Sequence, residues 1–163
     1  MMIGTKKAKA FENVHMQIGA CGIWCGSCVV GNGTLRELTK NYRTIIETYG
    51  LVEWGPKDIN FEEFLKGLNS IQEMPLCPGC HKGGGRDDCE MKTCTSQRHI
   101  NDCSYCSDIK QCENIDILQH MRSGALKAGL FVKAEDADDR ALIEKWTASL
   151  KNTWPHAILF DQV

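Results

Sequence analysis

Two short stretches of the chain each set a pair of thiols two residues apart in a tight turn: Cys77-Pro78-Gly79-Cys80 and Cys103-Ser104-Tyr105-Cys106. Proline fixes one φ and glycine permits the reversal, so both sulfurs of the first pair can face one ion. Thiolates select soft and borderline metals, and two such pairs close together in sequence are a much stronger metal signal than either alone. The chain carries ten cysteines in all: Cys21, Cys25, Cys28, Cys77, Cys80, Cys89, Cys94, Cys103, Cys106 and Cys112. Their spacing permits more than one grouping. Cys77, Cys80, Cys103 and Cys106 complete one tetrahedral site. Equally, Cys77, Cys80, Cys89 and Cys94 form one site and Cys103, Cys106 and Cys112 another, with a fourth ligand from Cys21, Cys25, Cys28 or a histidine. His81 and His99 are the histidines near enough in sequence to be ligands. His81 is also read as a sulfur's hydrogen-bond donor or as exposed, and His15, His120 and His156 lack metal-like spacing.

The loop Cys21-Gly22-Ile23-Trp24-Cys25-Gly26-Ser27-Cys28 has a C-x3-C-x2-C spacing, shared with enzymes that cleave S-adenosylmethionine at a [4Fe–4S] cluster. The chain is too short and too strand-poor for the barrel of those enzymes, and Ser27 stands where they carry an aromatic residue. An ordinary iron–sulfur cluster on three loop cysteines and a distant fourth is the better version of that idea. Thiol redox catalysis fits poorly, because a reactive C-x-x-C opens a helix that lowers the thiol pKa. Here His81-Lys82-Gly83-Gly84-Gly85 and Gly31-Asn32-Gly33 follow the pairs, and neither starts a helix easily. The adjacent acids Glu62-Glu63 and Asp87-Asp88 read as solvated surface, and no serine, cysteine and histidine arrangement suggests a catalytic site.

An even cysteine count also suits a disulfide framework, but that needs an oxidising compartment. The first twenty residues lack the apolar run of a secretory signal, and no stretch is long and apolar enough to span a bilayer. A cytoplasmic protein with reduced thiols is therefore expected. The net charge is −2 over 163 residues, which creates no basic field. Around the cysteines, Lys82, Arg86, Lys92, Arg98 and Lys110 are offset by Asp87, Asp88, Glu90, Asp102 and Asp108, so nucleic acid is not the expected partner.

The elements that must hold these cysteines are helical. Thr34 with Glu37 is a capping-box signal, followed by Leu35, Leu38, Tyr42, Ile45, Ile46 and Tyr49 at helical spacing and a stop at Gly50. Asn60 and Glu63 repeat the pattern before Phe61, Phe64, Leu65 and Leu68. Ile115, Leu118 and Met121 mark a helix after Cys112. Leu142, Ile143, Trp146 and Leu150 mark a last helix over 135–150, ended by Trp154-Pro155. These stripes are core faces. Trp24, inside the cysteine loop, is expected to pack against the core and hold the loop, the alternative being to shield a metal from solvent. The expected architecture is α-rich: a single domain over 1–163, with a cysteine loop at 18–33, a helical segment at 34–73, a cysteine-rich segment at 76–113 and C-terminal helices at 114–155. The cysteine-rich segment has few large apolar side chains, so metal cross-links would supply its order.

CGIWCGSC, CPGC, CEMKTC, CSYC and CSDIKQC together resemble a cysteine-rich family of anaerobe and archaeal proteins, domain of unknown function family 3795. The resemblance runs over about 18–117, with all ten cysteines in the family's order. It implies zinc binding with those ten residues as shared ligands, and it implies no activity. The chain departs from the pattern at Gln111, where the family carries a proline, and in its C-terminal helices. Zinc held by thiolates is thus the expected cofactor, and a closed all-thiolate site is structural because catalytic zinc keeps a position open. The expected role is a binding or adaptor module with a protein partner. An iron–sulfur protein for electron transfer or cluster delivery is the alternative, and a thiol- or metal-dependent enzyme the third.

Overall fold

The computed structural model describes residues 9–153 and 159–160. Seven α-helices are present among them: α1 (Lys9–Val14), α2 (Thr34–Thr48), α3 (Leu51–Trp54), α4 (Phe61–Gln72), α5 (Glu90–Arg98), α6 (Ile115–Lys127) and α7 (Asp139–Leu150). The only strand-like pairings among the described residues are the isolated bridges Ile18 to Trp24 and Ile23 to Val132. The fold is α-rich with irregular cysteine-bearing connections, as expected.

Local chemistry explains most helix ends. Asn60 accepts from the Glu63 amide and starts α4, as the capping pattern predicts. Gly50 takes the left-handed conformation after α2, also as predicted. The start of α2 needs correction. Thr34 is its first helical residue rather than its cap, and Asn32 Oδ1 accepts from the Thr34 amide at 3.0 Å. The last helix begins at Asp139 rather than 135, because Asp138 accepts from the Ala141 amide and sets the start. The proposed terminator Trp154-Pro155 lies outside the described residues. Two helices, α1 and α5, fall where the sequence shows no apolar stripe.

Three apolar clusters organise the chain. Ile46, Phe61 and Leu68 join α2 to α4, with Leu51, Phe64 and Leu65 around them. The expected core face of α2 is narrower than its apolar stripe: Ile46 is buried, while Tyr42, Ile45 and Tyr49 are exposed. Ile18, Trp24, Ile143, Trp146, Leu150 and Leu159 form a second cluster, in which α7 covers the cysteine loop. Trp24 is fully buried, stacks on Trp146 with ring centroids 5.9 Å apart, and donates from Nε1 to the His15 carbonyl at 2.7 Å. It therefore has the packing role expected of it. The third cluster places Cys21, Cys89 and Cys103 with Ala20, Met91 and Leu118 of α6. Thiols thus contribute directly to one of the three cores.

Candidate metal centre

The N-terminal loop and the central pair meet through backbone contacts. The Cys25 amide donates to the Gln17 carbonyl at 2.9 Å, and the Cys28 amide to the Cys25 carbonyl at 3.1 Å. Gln17 Nε2 then reaches the Pro78 carbonyl at 2.9 Å and ties the Cys77-to-Cys80 turn to this loop. Gly79 makes that approach possible. Its φ is +91°, and a Cβ there would lie 2.0 Å from Gln17 Oε1. Gly84 closes the other side of the turn: its amide donates to the Gly79 carbonyl at 2.9 Å, and a Cβ would lie 2.7 Å from Cys77 Sγ.

Sulfurs in this region accept backbone hydrogen bonds. The Cys80 amide donates to the Cys25 sulfur. The Ala20 amide donates to the Cys80 sulfur, and the Ile23 amide to the Cys21 sulfur. Such N–H···S contacts favour the charged thiolate that a metal requires. Burial pushes the Cys25 thiol up to about 12, and the nearby sulfurs of Cys80, Cys28 and Cys77 push in the same direction. Cys25, Cys28, Cys77 and Cys80 therefore form one sulfur neighbourhood.

A second neighbourhood surrounds the Cys103–Tyr105 turn. Asp102 caps that turn by accepting from the Ser104 amide at 2.7 Å, and the Cys106 amide donates to the Cys103 carbonyl at 3.2 Å. Burial pushes the Cys103 thiol up to about 12; Arg122 opposes the rise, while the sulfurs of Cys21, Cys94 and Cys112 add to it. Arg98, in the last turn of α5, places Nη1 3.6 Å from Cys106 Sγ and 2.8 Å from Asp108 Oδ2. It also lies beside Cys94. Cys94 and Cys112 are thus charge neighbours of Cys103, and Cys94 and Cys106 of Arg98.

Cys21 and Cys89 lie between the two groups. Both are buried in the apolar cluster that holds Cys103. Burial raises the Cys21 thiol, and Cys80 and Cys89 are its charge neighbours. Ala20 links the two sides, since its amide donates to the Cys80 sulfur and its carbonyl accepts from the Cys103 amide at 2.8 Å. All ten cysteines are free thiols. The donor set suits a soft or borderline cation, although among the described residues no three His, Cys, Asp or Glu side chains close on a single point. With a cation bound, the raised thiol pKa values would invert, because a coordinating thiol is deprotonated outright.

The histidines fall to the periphery. His81 Nε2 is 2.8 Å from the Ile18 carbonyl, a contact that fastens the Cys80–Lys82 turn to the N-terminal loop. His99 adopts φ 55° and ends α5. Neither Cys77-Cys80 nor Cys25-Cys28 opens an α-helix: short 3-10 turns begin at Cys80 and Cys25 instead.

A buried ion network beneath the Cys103 turn carries no sequence signal. Lys133 Nζ lies 3.4 Å from Asp102 Oδ2 and 2.5 Å from Asp139 Oδ1, and 3.7 Å from the centre of the Tyr105 ring. Burial works against its charge, but hydrogen bonds to Asp139 and Tyr105 outweigh burial and lift the ammonium above the ordinary lysine value. The Lys133 amide also donates to the Gly22 carbonyl at 2.8 Å. One residue therefore secures the turn that presents Cys103 and Cys106, the N-terminal loop and the start of α7. A lysine is normally exposed, so only its position in the fold reveals this role.

Among the described residues, no helix is long and apolar enough to cross a membrane. Comparison with curated proteins and with solved structures gives no match. A family model described as a protein of unknown function (DUF3795) matches residues 17–117. That span exceeds half of the 163-residue chain and contains all ten cysteines. The chain belongs to the DUF3795 family.

Proposed function

We propose that this chain is a metal-binding protein whose cysteine thiolates hold structural zinc, and that the stapled fold serves as a binding or adaptor module. The observation that carries this reading is the Cys80 amide donating to the Cys25 sulfur. It joins the N-terminal loop to the central pair, with Cys28 and Cys77 as further charge neighbours of Cys25. Zinc with four thiolates is closed to substrate, which suits a structural role. Burial and the raised pKa of Cys25 and Cys103 do not suit an exposed, low-pKa nucleophile. The adaptor part is supported by Tyr42 and Ile45 of α2 and Tyr49 at its C-terminal cap, with Val52 and Trp54 of α3. All are exposed, and apolar surface of this kind marks protein partners.

An iron–sulfur centre is the second reading. It is favoured by the proximity of Cys80 to both Cys21 and Cys25 of the three-cysteine loop, a geometry suited to a distant fourth ligand. Elemental analysis of protein purified without oxygen separates the two. Zinc with no visible absorption supports the lead. Iron with acid-labile sulfide replaces it with the second, and protein free of both metals overturns both.

A further inference from the structure

Helix α5 buries only Met91 and Thr95, so most of its surface is polar and takes no part in the core. Lys92, Ser96 and Gln97 of this helix line a cavity of about 590 Å³, together with Ala20, His81 and Ile100. Cavities of roughly 300 to 1,000 Å³ hold small organic molecules. We propose that this cavity binds a small organic oxyanion, a phosphate or a carboxylate, with Lys92 as its charge partner.

Charge selects the ligand. No carboxylate lines the cavity. Lys92 is half-buried and forms no ion pair among the described residues. Its Nζ donates to the Gly84 carbonyl at 3.0 Å, which holds the ammonium in place and leaves its other N–H groups available. A partly desolvated ammonium without a carboxylate gains most from an anion that accepts charge-assisted hydrogen bonds. Ser96 follows Lys92 by one helical turn and shares its face. Among the described residues the Ser96 hydroxyl and the Gln97 amide have no side-chain partner, so both are free to bind a ligand. The wall across the chain is already fixed, since His81 Nε2 is held 2.8 Å from the Ile18 carbonyl.

Size and surroundings narrow the class. The cavity far exceeds a bare oxyanion, which takes a few times the roughly 30 Å³ share of one water. Ile100 and Ala20 offer apolar surface to an organic body. The net charge of −2 disfavours a polyanion such as nucleic acid, so the ligand is small. Cys80 borders the cavity, but the proposed contacts use no thiol, so this site and the metal reading above can fail separately.

The test is titration of the ¹⁵N-labelled full chain, as purified, with inorganic phosphate, phenyl phosphate and benzoate, followed by amide NMR. Saturable shifts are expected in 80–82 and 92–100 with phenyl phosphate or benzoate, and weaker binding of inorganic phosphate. The tighter of the two aromatic probes identifies the oxyanion. Lys92→Met is expected to weaken binding about tenfold or more, as loss of a hydrogen bond to a charged group does. Lys40→Met, which removes an exposed lysine of α2, is expected to leave it unchanged. No saturable shift with any probe, equal binding by Lys92→Met, or shifts centred outside 80–82 and 92–100 would overturn the site. The last of these is read on the unmodified chain and decides the matter even if Lys92→Met fails to fold.

Discussion

Lys133 and Asp102 form an ion pair sealed from solvent, with Nζ 3.4 Å from Oδ2 and both side chains essentially inaccessible. Asp102 precedes Cys103, so this pair fixes the turn that presents Cys103 and Cys106. Removing one partner of a buried pair strands the other charge and costs about 3 to 5 kcal/mol. Lys133→Ala is therefore expected to lower urea stability by that amount. A loss under about 1 kcal/mol, the range of exposed pairs, would show that the pair is solvated in solution.

Gly79 has a narrower role. Alanine there meets a positive φ and the Gln17 side chain together. The extended backbone at positive φ, which is essentially reserved for glycine, alone costs about 1 to 3 kcal/mol. Gly79→Ala is expected to reduce metal retention at Cys25, Cys28, Cys77 and Cys80 and to lower Tm. Unchanged metal content with an unchanged Tm would mean that the turn is not packed on Gln17.

Two tryptophans provide a matched contrast. Trp24 is fully buried and Trp54 is 66% exposed. Trp24→Ala is expected to cost about 3 to 5 kcal/mol by cavity formation. Trp54→Ala should stay within about 0.5 kcal/mol while weakening any partner that docks on α2 and α3. Equal effects on denaturant midpoints would contradict the placement of the core.

Metal removal should act regionally. The α2–α4 pair rests on Ile46, Phe61 and Leu68, which involve no thiol. Residues 77–112 rely on cysteine contacts and on a cluster that is itself part thiol. A strong chelator is expected to abolish hydrogen-exchange protection in 77–112 and to spare α4. Uniform loss across the chain, or no loss anywhere, would count against metal as the local staple.

Features with local causes were legible in the sequence. The Asn60 cap on α4, the Gly50 stop and the apolar positions of α7 each depend on residues within a few places of one another. Helix α5 was not legible, because Met91 and Thr95 are its only buried side chains and leave no apolar stripe. Asn32 rather than Thr34 supplies the side-chain oxygen at the start of α2, where Gly33 takes the N-cap position in the left-handed conformation. The ten thiols were visible as donors, but their grouping was not. Cys25 meets Cys80 across a long sequence separation, and only the packing of the N-terminal loop against the Cys80 turn brings them together. The buried Lys133 was hidden for the same reason.

The central claim is that cysteine sulfur holds the metal. X-ray absorption at the metal edge, on protein purified without oxygen, measures the ligand shell directly. The account predicts zinc with a shell of sulfur alone at about 2.3 Å. A shell of oxygen and nitrogen, or protein that carries no metal, would contradict it.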